Sequence, residues 1–196
     1  MSELNQGKIE VELKAWVDDL NSLEQKIKQK AEFVGEFIEE DIYFTFAHTK
    51  GYQKQRFRLR KVNDKAIVTV KIEGSAEPGI EANQEFEFEV SDPQAFKVFC
   101  REFGFRVLIE KRKKVKRYCL KLPSDDIANE ITIELNQVEH LGNFVELEIL
   151  VDDASKVNLA SEHLKQLLSE LGISPSQIEP RPYTELLYQK LYSSSK

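Results

Sequence analysis

Several segments of the chain alternate apolar and charged residues with a period of two, and the charged positions carry both signs. In residues 8–17, for example, Glu10, Glu12 and Lys14 alternate with aliphatic residues. Successive side chains of a β-strand point to opposite faces, so each such segment predicts a strand with one apolar and one charged face. The fold must bury the apolar faces and accommodate the charged ones.

Two architectures satisfy this pattern. An open antiparallel sheet with one face in water would leave its charged side chains solvated. If helices cover the apolar face instead, a sheet of about eight strands must curl, and its charged face becomes the interior of a barrel. A charged interior is costly unless it binds metal ions and anions. The acidic faces are Glu10/Glu12, Glu85/Glu87 and Glu146/Glu148, and the basic faces are Arg58/Arg60, Lys71 and Lys111/Lys113.

Periodicity and turn residues predict about eight strands in meander-like order, with helices between some of them. The strands fall at residues 8–17, 33–46, 56–62, 66–72, 84–90, 105–122, 131–135 and 144–151. Helices are predicted after Asp19, from Pro93 to Gly104, at 153–172 and near the C-terminus, whereas 74–83 is expected to be a mobile loop and 193–196 disordered. One α+β domain over residues 1–196 follows, with strands at about 7–152 and C-terminal helices at about 153–192.

Composition narrows the class of protein. A chain of 196 residues that is 41% hydrophobic can bury one sizeable core, and no run approaches the roughly 18 apolar residues of a membrane helix. The first residues lack the apolar stretch of a secretory signal, and two cysteines are too few for a disulfide framework. We therefore expect a cytoplasmic protein without a membrane partner. The net charge of −6 does not favour a nucleic-acid partner.

The charged faces also predict a chemistry. Clustered carboxylates bind divalent cations, and clustered lysine and arginine side chains bind phosphate. Together they predict a site for a metal-bound polyphosphate. The chain has no GxxxxGK[ST] loop, no GxGxxG after a strand and no GxSxG elbow, so side chains would have to hold the phosphates.

The order of short motifs along the chain carries a family resemblance. An E-x-E-x-K pattern at residues 10–14 is followed by DIYF at 41–44, RLRK at 58–61, TVK at 69–71, EFE at 85–87, IEKRK at 109–113, ITIE at 131–134 and LGNFVELE at 141–148. Over about residues 7–190 the chain resembles the CYTH proteins, also called triphosphate tunnel metalloenzymes. EPRPYTELL at 179–187 resembles the C-terminal segment of their class IV adenylyl cyclase branch.

The resemblance implies an eight-stranded antiparallel closed β-barrel, the triphosphate tunnel, decorated by helices. It also implies Mg²⁺ or Mn²⁺ as cofactor and a role for each matching residue. The implied metal ligands are Glu10, Glu12, Glu146 and Glu148. The implied triphosphate-binding residues are Lys14, Arg58, Arg60, Lys71, Glu85, Glu87, Lys111, Lys113 and Arg181, and the implied catalytic residues are Lys14, Arg60, Lys71, Lys111 and Glu134.

Two positions depart from the family pattern, and both bear on the substrate. Asn83 and Lys113 stand where relatives usually have arginine, and lysine lacks the bidentate fork of arginine for phosphate. We expect an adenylyl cyclase that converts ATP to cyclic AMP and pyrophosphate. The alternatives are a hydrolase of tripolyphosphate, thiamine triphosphate or a nucleoside triphosphate, and a polyphosphate-binding module without turnover. The expected partner is the small-molecule triphosphate, with a homodimer as one option.

Overall fold

The computed structural model describes residues 7–123, 128 and 130–192, so the predicted disorder at 193–196 lies outside the described residues. Eight strands form a closed barrel in the order β1-β5-β4-β3-β2-β6-β7-β8, and every neighbouring pair is antiparallel. The strands are β1 Ile9–Trp16, β2 Glu32–Phe46, β3 Phe57–Val62, β4 Lys65–Glu73, β5 Ile80–Glu89, β6 Phe105–Lys121, β7 Glu130–Val138 and β8 Gly142–Val151. The α+β closed barrel predicted above is confirmed.

Four α-helices decorate the barrel: α1 Leu20–Ile27, α2 Pro93–Glu102, α3 Val157–Glu170 and α4 Tyr183–Tyr192. Asp19 and Asp92 cap the first two, because each carboxylate accepts hydrogen bonds from two backbone N–H groups of the first turn. Short 3-10 turns at Ala154–Lys156 and Pro175–Gln177 lead into α3 and toward α4. None of the helices in the described part of the chain is long and apolar enough to cross a membrane.

The hydrophobic core lies outside the barrel wall, under the helices. Val11 and Leu13 of β1 and Leu147 and Ile149 of β8 are fully buried in one cluster with Leu164 and other apolar residues of α3. Burying aliphatic side chains of this size stabilises the fold by about 1.5–3 kcal/mol each. Because these odd-numbered residues point outward, the even-numbered charged residues of the same strands must point into the barrel.

The prediction of a loop over 74–83 is wrong at its C-terminal end, because β5 begins at Ile80. Residues 80–84 pair with β1, with Asn83 opposite Glu10 and Glu81 opposite Glu12. Pairing with β1 is a long-range contact that local periodicity does not report, although Asn83 and Gln84 also pair with Glu73 and Ile72 of β4. The glycine and proline residues just upstream also made the segment resemble a turn.

Candidate functional site

The charged inner faces of the strands surround one cavity of about 970 Å³. Each predicted site residue except Arg181 lines it: Glu10, Glu12, Lys14, Arg58, Arg60, Lys71, Glu85, Glu87, Lys111, Lys113, Glu134, Glu146 and Glu148. The strand registers explain this convergence. Glu12 pairs with Glu148 and Lys14 with Glu146 across β1 and β8, while Lys71 pairs with Glu85 across β4 and β5. Paired residues of neighbouring strands share a face of the sheet, here the inner one.

Asp41 organises the basic side chains on one wall of the cavity. Arg60 donates two hydrogen bonds to its carboxylate, from Nε at 2.7 Å and from Nη2 at 2.9 Å, and Lys111 Nζ lies 3.0 Å away. Burial disfavours the charged form, but the positive charges of Arg60 and Lys111 outweigh it and hold the pKa of Asp41 well below its ordinary value. Asp41 therefore stays ionised and orients two cations whose remaining N–H groups can contact phosphate.

Lys113 is the centre of a second network. Its ammonium group donates to Glu134 Oε2 and Glu146 Oε2, both at 2.9 Å, and lies 3.4 Å from Glu39 Oε2. Against the effect of burial, Lys113 and Arg117 lower the pKa of Glu134 far below its ordinary value. Lys113 thus keeps its positive charge in a buried site and is largely neutralised by its neighbours.

Three other carboxyl groups of the cavity have too little positive charge around them to offset the effect of burial. Burial, reinforced by neighbouring carboxylates, raises the pKa of Glu10 to about 8 and that of Glu12 to about 7, and it raises the pKa of Glu148 well above its ordinary value. Lys71 Nζ lies 2.8 Å from Glu10 and 2.6 Å from Glu85, so one ammonium group serves two carboxylates. Glu85 keeps its charge, because Lys71 and Arg58 outweigh its burial and lower its pKa to about 2.

This carboxyl-rich part of the cavity fits a divalent cation in its chemistry. A cation would supply the positive charge that Glu10, Glu12 and Glu148 lack, and carboxylate oxygens are ligands that Mg²⁺ and Mn²⁺ accept. Within residues 7–123, 128 and 130–192, no three histidine, cysteine, aspartate or glutamate side chains are already grouped closely enough to hold a metal ion. Glu146, predicted as a ligand, is instead hydrogen-bonded to Lys113 and to Asn136 Nδ2 at 2.8 Å.

The C-terminal segment lines part of the cavity and is hydrogen-bonded to β1. Trp16 Nε1 donates to Glu179 Oε2 at 3.0 Å, and the backbone N–H of Glu179 donates to the carbonyl oxygen of Lys14 at 2.9 Å. Arg181, predicted to bind triphosphate, lies outside the residues that line the cavity. Its guanidinium is half exposed and donates to both carboxylate oxygens of Glu179, at 2.8 and 2.7 Å.

The structure adds residues to the site that the strand patterns did not single out. Glu39 is buried and lies 2.8 Å from Arg60 Nη2, and Arg117 Nη2 lies 2.6 Å from Glu134. Arg117 could have been found by extending the alternation from Lys111 and Lys113 through the buried Val115 along β6. Glu39 belongs to a run of acidic residues in which neither the composition nor the spacing distinguishes inward from outward positions.

Comparison with known proteins agrees with this architecture. Relatives include "Putative adenylate cyclase MJ0240" of Methanocaldococcus jannaschii, 27% identical over 188 residues, with 91% of this chain and 98% of that protein covered. Adenylate cyclase CyaB of Aeromonas hydrophila is 23% identical over 194 residues, with 97% and 95% covered. The PH1819 protein of Pyrococcus horikoshii has a similar solved structure, with a TM-score of 0.75, 27% identity and coverage of 92% of this chain and 99% of that one.

The family comparison spans almost the whole barrel and the C-terminal segment. The model of the CYTH domain matches residues 8–183, which run from the start of β1 to the first residue of α4. That range includes every predicted site residue, Arg181 among them. The chain therefore belongs to the CYTH domain family.

Proposed function

We propose that this protein is a divalent-metal-dependent enzyme that acts on triphosphates, and that its reaction is the conversion of ATP to cyclic AMP and pyrophosphate. One observation carries the proposal: a single cavity is lined both by carboxyl groups and by Lys14, Arg58, Arg60, Lys71 and Lys111. A chain of phosphates needs several cations along its length, and a metal ion needs carboxylates beside them. An open, solvated sheet would supply neither in one place.

The chain's own residues have defined tasks in this proposal. Arg60 and Lys111, both oriented by Asp41, contact phosphate oxygens and stabilise the negative charge that grows on them as the bond to pyrophosphate breaks. Lys14 and Lys71 also contact phosphate oxygens of the chain, Lys14 at the end that Lys111 contacts. Such contacts favour an in-line arrangement of the attacking oxygen and the leaving group.

Glu10, Glu12 and Glu148 would hold the metal, with Glu146 joining if it leaves its bond to Lys113. When bound, Mg²⁺ or Mn²⁺ would neutralise phosphate charge and lower the pKa of the attacking hydroxyl group. Glu134 is not proposed as a proton acceptor, because Lys113 and Arg117 hold its carboxylate in the ionised, weakly basic form. Its task is to position Lys113.

The cyclase reaction is preferred over hydrolysis for two reasons. The segment EPRPYTELL at 179–187 resembles the cyclase branch of the family, and the M. jannaschii and A. hydrophila relatives carry the name of adenylate cyclase. The same cavity could instead place water against the terminal phosphorus of tripolyphosphate, thiamine triphosphate or a nucleotide. Glu10 and Glu12 disfavour a module that only binds polyphosphate, since carboxylates there weaken anion binding when no metal is present.

The test is an incubation of the purified protein with Mn²⁺ or Mg²⁺ and ATP, tripolyphosphate or thiamine triphosphate. Cyclic AMP and pyrophosphate in equal amounts are the expected products with ATP. Release of inorganic phosphate without cyclic AMP would replace the proposal with the hydrolase, and binding without any product would replace it with the non-catalytic module. A Lys14→Met variant controls for contaminating enzymes. The homodimer stays a prediction that light scattering can check.

A further inference from the structure

The ring of Tyr183, the first residue of α4, makes cation–π contacts with two lysine side chains of the cavity. Lys14 Nζ, from β1, and Lys111 Nζ, from β6, are each 4.8 Å from the centre of this ring. All three residues are more than nine-tenths buried. Two strands that are not neighbours in the barrel thus bring their cations to one aromatic side chain supplied by the C-terminal helix.

The position of the ring is fixed by packing on the barrel wall. Phe144 of β8 contacts it edge to face, with ring centres 4.9 Å apart, and Leu186 of the same helix joins this apolar cluster. The preceding residues are tied to β1 through the hydrogen bond from Glu179 N to Lys14 O at 2.9 Å. Tyr183 therefore has little freedom to move relative to Lys14.

For two lysines that must bind an anion, an aromatic ring is a better neighbour than a carboxylate. Its negative face attracts ammonium groups, but it carries no net charge and occupies few of their N–H donors. Lys14 Nζ lies 3.7 Å from Glu81, and Lys111 Nζ lies 3.0 Å from Asp41. The two cations are thus held in place while part of their hydrogen-bonding capacity stays available.

We propose that Tyr183 is a positioning residue for phosphate binding: its ring holds Lys14 and Lys111 so that both contact the same end of the polyphosphate. That the ligand is a phosphate follows from the proposed function. The placement of the two lysines by the ring does not depend on that function. The ring, and not the hydroxyl group, performs this task, so phenylalanine replaces tyrosine and an aliphatic residue does not.

The experiment compares Tyr183→Phe and Tyr183→Leu with the unchanged protein, with tripolyphosphate binding measured by calorimetry in Mn²⁺. We expect Tyr183→Phe to bind within about twofold of the unchanged protein and Tyr183→Leu to bind about tenfold more weakly, the size of effect that a desolvated cation–π contact gives. Tyr188→Leu is the matched control, because Tyr188 lies on α4 but contacts Tyr52 and Tyr192. It should bind tripolyphosphate normally.

A second measurement needs no ligand. In the free protein, the ring current of Tyr183 should shift the NMR signals of the Lys14 and Lys111 side-chain methylene protons. Tyr183→Phe should keep that shift and Tyr183→Leu should remove it. If tripolyphosphate fails to bind the unchanged protein, the proposed function fails, and the NMR comparison still decides whether the two lysine side chains lie against the Tyr183 ring.

Three results would overturn the inference. Normal tripolyphosphate binding by Tyr183→Leu would show that the ring is not needed. Equal losses in Tyr183→Phe and Tyr183→Leu would assign the effect to the hydroxyl group. An equal loss in Tyr188→Leu would assign it to general loosening of α4.

Discussion

Lys113 Nζ, on β6, lies 2.9 Å from Glu146 Oε2, on β8, although β7 separates these two strands in the sheet. Both side chains point into the barrel from the same face of the sheet, and together they are long enough to meet across the intervening strand. The contact places a lysine ammonium group at 3% exposure among carboxylates. Removing one partner of this buried ion pair therefore costs more free energy of unfolding than removing one partner of an exposed pair on the outer surface.

The first prediction concerns Lys113→Met, which should lower the free energy of unfolding by about 3–5 kcal/mol, because Glu134 and Glu146 lose the buried cation that pairs with them. Lys114→Met is the matched control. Lys114 is the next residue of β6, is 55% exposed and pairs with Glu36 on the outer face, so its loss should cost less than about 1 kcal/mol. Urea unfolding measures both, and equal small effects would contradict an enclosed charged interior.

The second prediction compares Lys71 with Lys61. Lys71→Ala should weaken tripolyphosphate binding at least tenfold, since a charge-assisted hydrogen bond in the cavity contributes about 1.5–3 kcal/mol. Lys61 is exposed on the opposite face of β3, and Lys61→Ala should bind tripolyphosphate normally. Calorimetric titration with tripolyphosphate distinguishes them. Similar affinities for the two variants would remove Lys71 from the phosphate site.

Arg60 is expected to matter as much as Lys71, and its alanine variant, like that of Lys71, also unpairs two buried carboxylates. Arg60 pairs with Glu39 and Asp41, so Arg60→Ala also leaves two buried carboxylates without their cation. A loss of binding there would mix a phosphate contact with a change in stability. Arg60→Lys keeps one positive charge and loses the bidentate fork, so it separates the two effects.

How far the sequence predicts this site depends on which kind of contact places each residue. The inward positions of β1, β3, β4 and β8 follow from local alternation, which is why Glu12 and Lys71 could be assigned to the cavity from sequence. Asn83 could not be assigned in this way, because residues 80–82 at the start of its strand pair with β1, a contact that local alternation does not report. The family resemblance implied a triphosphate contact for Arg181. In the structure its guanidinium is hydrogen-bonded to Glu179, and this pairing depends on the path of the chain after α3.

The third prediction concerns pH. Glu10 and Glu12 have folded-state pKa values of about 8 and 7, above the value near 4.5 expected after unfolding. Between about pH 4.5 and 8 the folded protein holds protons that the unfolded chain has released, so the free energy of unfolding must fall as pH rises, by on the order of 8 kcal/mol in total. Chemical denaturation from pH 5 to 8 without metal measures this slope.

The double variant Glu10→Gln/Glu12→Gln is the control for the pH dependence. Neither amide titrates, so the decline in stability between pH 5 and 8 should shrink to the part that Glu148 contributes, because the pKa of that carboxyl group is also raised by burial. The carboxylates whose pKa values are lowered, such as Glu85, give a slope of the opposite sign that is confined to lower pH, because they stabilise the fold only once they ionise. An unchanged slope in the double variant would show that Glu10 and Glu12 are ionised throughout this range.

The fourth prediction concerns the metal. With Mn²⁺ present, tripolyphosphate at a hundredfold excess over its dissociation constant should raise the free energy of unfolding by about 2.7 kcal/mol, which corresponds to a rise of about 5–10 °C in melting temperature for a chain of this size. Glu12→Gln should lose the part of this rise that depends on Mn²⁺ and should lose catalytic turnover. It should remain folded, because the amide removes a repulsive charge from the cavity.

Glu40→Gln is the matched control for Glu12→Gln. Glu40 lies on β2 and is 52% exposed, with its carboxylate 3.5 Å from Arg112, so this substitution removes the same charge from the outer surface. Its melting temperature with Mn²⁺ and tripolyphosphate should rise as in the unchanged protein. If Glu12→Gln also responds fully to Mn²⁺, Glu12 is not a metal ligand. If the two variants lose the response equally, the effect of Mn²⁺ depends on net charge and not on a site in the cavity.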